Sequence, residues 1–279
     1  MESVASVMDK LIIKLLIQKG DCPHCQKPLY AWKTKNRDGT DRCAPTCMSC
    51  GYSDLKRKED ATTKRLYDQS LKSRALNLFQ NGSIVPNESL FKKRMANYRV
   101  TDTETQLAKE VAMRYIKAIL DGGVNHLILN GKSGAGKSHL SMAVCWEVIE
   151  QSNYDKKVAF VNYRELLEQL KFSFTDPEAR KQIQGNLIKD LKTVDLVVLD
   201  DLGAELGGIQ AKSATSYNND VLYSLLEARE ERALIINTNL SAREIVEAYG
   251  ERVLSRIQNN SKGFTHTFRE TKDKRTGSF

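Results

Sequence analysis

The stretch Gly131-Lys132-Ser133-Gly134-Ala135-Gly136-Lys137-Ser138 constrains this chain more than any other. It reads G-x-x-x-x-G-K-S, a pattern that serves a purpose only between a strand and a helix. Both neighbours fit. His126-Leu127-Ile128-Leu129 upstream is an apolar run of strand length, and Ser138 to Trp146 downstream reads as a helix. In that setting the glycines let backbone N–H groups turn onto phosphate oxygens, and the helix N-terminus adds partial positive charge. Lys137 is placed to reach β- and γ-phosphates and the Ser138 hydroxyl to ligate Mg²⁺. Gly131 to Ser138, with His139 beside them, form the candidate nucleotide-binding stretch.

The rest of the chain supplies the alternation that such a loop needs. Thr101 to Glu104 resembles a capping box, followed by a helix through Leu107, Val111, Tyr115 and Ile119. After the loop come a second strand at Val158–Val161 and helices at Tyr163 to about Leu170 and about Pro177 to Leu191. A third strand, Leu196–Leu199, ends in Asp200-Asp201. A helix at Val221–Arg229 leads to a fourth strand, Leu234–Asn239. Alternating strands and helices imply a parallel sheet with ligand groups at the strand C-termini. Asp200 is then positioned for the Mg²⁺ shell, and Asp201 to orient or deprotonate an attacking water. Asn239 either hydrogen-bonds the γ-phosphate or the water, or caps the helix that starts near Ser241. Arg252 and Arg256 lie four apart, on one helix face. They form either an arginine finger for a neighbour's phosphate or a salt-bridged surface pair.

Five of the six cysteines fall within residues 22–50. Cys22-Pro23-His24-Cys25 and Cys47-Met48-Ser49-Cys50 are two C-x₂-C pairs that predict a four-thiolate structural Zn²⁺ site. Cys43 is an alternative to Cys47. Between the pairs, Leu29–Thr34 reads as a strand and Arg37–Thr40 as a hairpin turn, a zinc-ribbon layout. Before them, residues 3–19 carry apolar positions at helical spacing, ended by Gly20. Residues 55–100 carry basic clusters and predict a helix around 60–80 with a linker to about 95. The expected organisation is a helix and ribbon over 1–55, a basic helical linker over 56–95 and an α/β domain over 96–279.

Charge separates the two ends. Residues 1–100 hold 19 Lys+Arg against 10 Asp+Glu, whereas the remainder holds 24 against 25. The basic excess predicts attraction to nucleic acid or to an acidic protein. No run of about 18 apolar residues exists, which argues against a transmembrane helix. No secretory cleavage pattern follows the apolar run at 11–17, so a cytoplasmic location is expected.

The ordered set Gly131–Leu140, Leu199–Glu205, Thr238–Ser241 and Gly250–Ile257 resembles the AAA+ ATPases of DnaC/DnaI-type replicative helicase loaders, whose core is shared by IstB-type transposition helpers. The resemblance covers about residues 95–270 and implies a P-loop parallel sheet flanked by helices. It assigns Lys137 and Ser138 to ATP·Mg²⁺, Asp200 and Asp201 to the Walker B pair, Asn239 to sensor 1 and Arg256 to the arginine finger, with Arg252 near the subunit interface. It implies single-stranded DNA contacts from Gly207 to Tyr217, with Lys212, Ser216 and Tyr217 as candidates. A zinc module before such a core implies docking on a hexameric DnaB-type helicase, and the core implies self-association. Asp201 stands where many AAA+ proteins have glutamate, so slow hydrolysis is expected. Only 23 residues follow Arg256, too few for a helical lid. An IstB-type helper and a weakly hydrolysing ATP-binding nucleic-acid adaptor are the alternatives to a loader.

Overall fold

A computed structural model of the chain describes residues 14–52, 54–172, 188–207 and 214–274. It divides into two units, Met1–Ser70 and Leu71–Phe279.

In the first unit, β1 (Leu16–Asp21) pairs antiparallel with β2 (Pro28–Trp32), which pairs antiparallel with β3 (Thr46–Cys47). This corrects the expectation of a helix through residue 19. Residues 1–13 lie outside the described set; Lys14 and Leu15 are helical, but 16–21 are strand. The run Leu15-Leu16-Ile17 suits either state by composition, and the helix gives way to strand within it, after Leu15. Pairing with β2 decides it, because a ribbon this small needs every ladder bond its chain can supply. Gly20 falls at the register shift between Gln18 and Asp21, the place of a bulge rather than of a helix cap. The predicted turn is present: Asn36 N donates to Thr40 O at 2.9 Å, and Gly39 N to Asn36 O at 3.0 Å.

The helix expected around 60–80 is present as α1 (Asp54–Asn81), longer at its N-terminal end. Residues 58–70 of it are exposed on all sides. The segment after it is packed rather than free. Ile84 N donates to Phe160 O, and Asn162 N to Ile84 O, both at 2.8 Å. Phe79 meets the Trp146 ring edge-on at 4.9 Å, and Trp146 Nε1 donates to Phe91 O at 2.9 Å. The apolar residues among the basic clusters, Phe79, Ile84 and Phe91, are what bind this stretch to the core of the second unit.

That unit is built on one parallel sheet. Its strands are β4 (His126–Gly131), β5 (Val158–Asn162), β6 (Leu196–Leu202), β7 (Ala233–Thr238) and β8 (Thr265–Phe268), in the order β5-β6-β7-β4-β8. The inner strands are almost wholly buried, as expected of a sheet covered on both faces. Leu127, Leu129, Phe160, Val198 and Ile235 face a cluster with α2 (Thr103–Leu120) and α3 (Lys137–Gln151). Ile128, Val161, Leu199 and Ile236 face the other, with α4 (Tyr163–Phe172), α5 (Ile188–Thr193), α6 (Ser216–Ala228), α7 (Ala242–Tyr249) and α8 (Glu251–Gln258). Most of the helix expected at about 177–191 lies outside the described residues.

Two local expectations need correction. The cap of α2 is Asp102, whose carboxylate accepts from Thr105 N at 2.8 Å, one residue on from the predicted box. Glu104 is engaged elsewhere, accepting the backbone N–H groups of Arg269, Glu270 and Thr271. The second is β8, which has no counterpart among the four predicted strands. It is four residues long at a sheet edge, with alternating burial and charged flanks, so no apolar run marks it.

Candidate functional site

The three central strands deliver their C-terminal ends to one place. β4 opens into the loop Gly131–Lys137, β6 carries Asp200 and Asp201, and β7 is followed by Asn239. Register fixes the arrangement: Asn130 lies opposite Thr238 and Leu202 opposite the same Thr238. The loop requires its glycines. Gly134 has φ +81°, and a Cβ there would fall 2.0 Å from the Asp273 carboxylate.

Lys137 Nζ donates to Gly131 O at 2.5 Å, Lys132 O at 3.0 Å and Asn239 Oδ1 at 2.6 Å. Asn239 is thus within reach of the group that the loop presents to phosphate. Ser138 Oγ donates to Asp200 Oδ1 at 2.9 Å, so hydroxyl and carboxylate already share one small volume. Burial pushes the Asp200 carboxyl up to about 6, against the hydrogen bonds from Asn237 and Ser138 that favour its charged form. Asp201 is half-buried and faces the cleft.

The sequence reading missed Asn237. Its Nδ2 donates to Asp200 Oδ1 at 2.7 Å and its Oδ1 accepts from Ser141 Oγ at 2.9 Å, all buried. Asn237, the first polar residue after the apolar run Leu234-Ile235-Ile236, was the available signal, since an amide on a buried strand must find partners.

The cleft itself measures about 670 Å³, a size suited to a small-molecule ligand. One wall is the loop with Ser138, His139 and Asp201; the other is Asn97, Tyr98, Arg99 and Lys274. His139 Nε2 lies 2.8 Å from Asn97 Oδ1, and its ring meets Tyr98 edge-on. Lys274 N donates to Gly134 O at 3.0 Å, and its Nζ lies 4.3 Å over the Tyr98 ring. This second wall also escaped the sequence reading, because its members come from the first residues of the α/β domain, before its first expected helix, and from the tail.

Arg256 lies away from this cleft. Its guanidinium donates to Glu230 at 3.0 Å, Tyr223 OH at 2.9 Å and Glu227 at 3.2 Å. Past the end of α8, Asn260 O accepts from His126 N, the first residue of β4. The P-loop leaves the other end of β4, roughly 16 Å along the strand. Arg252 is exposed in the first turn of the same helix. Ser216, the first residue of α6, is exposed, whereas Tyr217 is half-buried against the core. Lys212 lies outside the described residues.

In the first unit, the Sγ atoms of Cys22, Cys25, Cys47 and Cys50 lie within 4.8 Å of one another. Cys22 and Cys50 are 3.6 Å apart, and Cys25 and Cys47 3.5 Å. Four sulfurs at about 2.3 Å from a tetrahedral ion stand about 3.8 Å apart, so this cluster has the right size for Zn²⁺. Two matching turns build it. Gln26 N donates to Cys22 O and Cys22 N to Lys27 O; Gly51 N donates to Cys47 O and Cys47 N to Tyr52 O. The structure gathers Cys47 into the cluster and leaves Cys43 exposed outside it.

Comparison with known proteins places this geometry. The sequence model of the family described as "IstB-like ATP binding protein" matches residues 51–258. The replicative helicase loader DnaC of Escherichia coli K12 is 27% identical over 164 residues, 58% of this chain and 61% of that protein. The chain thus spans about 61% of the length of that curated relative. Among solved structures, the DnaC helicase loader superposes with a TM-score of 0.55 at 17% identity, covering 66% of this chain and all of that one. DnaI superposes with a TM-score of 0.54 at 21% identity, covering 70% of this chain and 97% of the other. These two likenesses establish the fold.

Proposed function

Since the chain belongs to the IstB-like ATP-binding family and has the AAA+ fold, we propose that it is an ATP-dependent loader that binds a hexameric replicative helicase and delivers it onto single-stranded DNA. The observation that carries the reading is the convergence of the P-loop, Asp200-Asp201 and Asn239 at the ends of three adjacent strands, with Arg256 away from that point.

Lys137 binds the β- and γ-phosphates once ATP draws its ammonium from Gly131 O and Asn239. Ser138 and Asp200 hold Mg²⁺, which supplies charge neutralisation on the phosphates when bound. Asp201, facing the cleft, orients the attacking water. Asn239 exchanges its bond to Lys137 for one to the γ-phosphate or that water, and so reads hydrolysis. Tyr98, His139 and Lys274 shape the wall against the nucleotide. Arg256 serves a neighbouring subunit's phosphate, and Arg252 lies beside it at that interface, so the site is complete only in an oligomer. Hydrolysis is slow and depends on assembly or on DNA.

The four cysteines hold one Zn²⁺ that fixes the first unit, which docks on the helicase. The basic excess of residues 1–100 supports contact with acidic protein or with DNA. Lys212, Ser216 and Tyr217 remain the proposed DNA contacts, and the protein acts in the cytoplasm. The match to the IstB-like family leaves one second reading, the IstB-type transposition helper that the sequence also resembles. Affinity capture with ATP from an extract of the host separates the two. A loader recovers the replicative helicase, and recovery of a transposase in its place would overturn the proposal.

A further inference from the structure

Asp201 has a left-handed backbone, with φ +59°, a conformation that is uncommon for a residue with a side chain although aspartate tolerates it better than most. The register of β6 against β7 breaks at the same point, between Leu199 and Leu202. This conformation turns the Asp201 carboxylate out of the alternation of the strand and into the cleft.

Three contacts just beyond Asp201 fix the chain where it leaves that conformation. Thr238 Oγ1 donates to Leu202 O at 2.8 Å. Gly203, with φ +103°, sits so close to Leu240 that a Cβ would fall 2.6 Å from its Cδ1. Gly203 N donates to Glu205 Oε2 at 3.0 Å, and the other oxygen of that carboxylate accepts from the buried Tyr249 hydroxyl. Burial raises the Glu205 pKa, the Tyr249 bond opposes this, and the nearby charge of Asp201 adds to it. Tyr249 is anchored independently, its carbonyl accepting from Asn219 Nδ2 at 3.2 Å. It closes α7, and Gly250 after it opens the helix that carries Arg252 and Arg256.

We propose that Glu205 and Tyr249 are positioning residues for Asp201: the Tyr249 hydroxyl holds the Glu205 carboxylate, which holds the Gly203 amide and with it the turn that aims Asp201 at the attacking water. Neither residue touches the nucleotide; both act through Asp201. The inference rests on the ATPase reading above.

The test compares wild type, Tyr249→Phe, Glu205→Gln, Asp201→Asn and the double variant Tyr249→Phe/Asp201→Asn in steady-state and single-turnover ATP hydrolysis, with KM and thermal unfolding measured alongside. Tyr249→Phe and Glu205→Gln are each expected to lower kcat about tenfold with KM unchanged, because only the aim of Asp201 is lost. In the double variant, loss of the hydroxyl lowers the residual Asp201→Asn rate by no more than about twofold. Losses that multiply in the double variant, or a full rate in a folded Tyr249→Phe, would overturn the proposal. Should Tyr249→Phe fail to fold, Glu205→Ala decides, since it removes both the oxygen that accepts from Tyr249 and the oxygen that accepts from Gly203 N. A wild-type protein without ATPase activity would instead overturn the parent reading.

Discussion

Replacing Asn237 with alanine removes the buried amide that joins Ser141 to Asp200. Two hydrogen bonds are lost, one of them to a carboxylate. At about 1 kcal/mol for the neutral bond and about 1.5–3 for the charged one, stability falls by about 3 kcal/mol. The more specific consequence is in pH dependence. Asp200 titrates at about 6 rather than 3.8, equivalent to about 3 kcal/mol against its ionised form. Its folded pKa lies above the unfolded value, so its contribution to stability is full below the unfolded pKa and is lost as pH rises through about 6. Mg²⁺ demands the opposite state, the carboxylate. Binding of Mg²⁺·ATP is therefore expected to weaken as pH falls through about 6 in wild type. Without Asn237 the carboxylate loses a donor that favours its charge, and the midpoint moves upward. Titration of a fluorescent ATP analogue with Mg²⁺ between about pH 5 and 8 measures both midpoints. A loss of affinity that is uniform across pH, or a midpoint that moves down, would refute the reasoning.

Subunit mixing tests the shared site: neither Lys137→Ala nor Arg256→Ala hydrolyses ATP alone, but mixtures regain activity, and none at any ratio would count against the trans role. About one zinc per chain is expected by elemental analysis of native protein; Cys47→Ser loses it and Cys43→Ser keeps it. Gly134→Ala has no relaxed conformation at φ +81° and would push Asp273 aside, so it should lower thermal stability by at least about 1 kcal/mol and weaken ATP binding at least tenfold by isothermal titration.

Local chemistry made much of the second unit legible. Gly131–Ser138, the apolar runs of β4 to β7 and the Asp200-Asp201 pair each signal their structure within a few residues. The parallel sheet follows from their alternation. What escaped depends on distant parts of the chain. β1 reads as the end of a helix because an apolar run is ambiguous until β2 pairs with it. β8, Asn97, Tyr98 and Lys274 come together only through folding, from the edge of the α/β domain and from its tail, where no local pattern marks them. Glu104 fits a capping pattern, yet it binds backbone amides more than 160 residues away. Asn237 and Tyr249 sit inside apolar patterns that call for no polar partner until the neighbouring strand or loop is in place. The cysteine pairs lie between these cases, since spacing implied the cluster and only the fold chose between Cys43 and Cys47.

Loading of the helicase is the most direct measure of what this ATP site is for. The assay counts hexameric replicative helicase retained on single-stranded circular DNA, with ATP and either wild-type protein or Lys137→Ala. Wild type is expected to raise the retained helicase at least tenfold over helicase alone, and Lys137→Ala to give no increase. Equal retention with and without the wild-type protein would contradict the loader assignment.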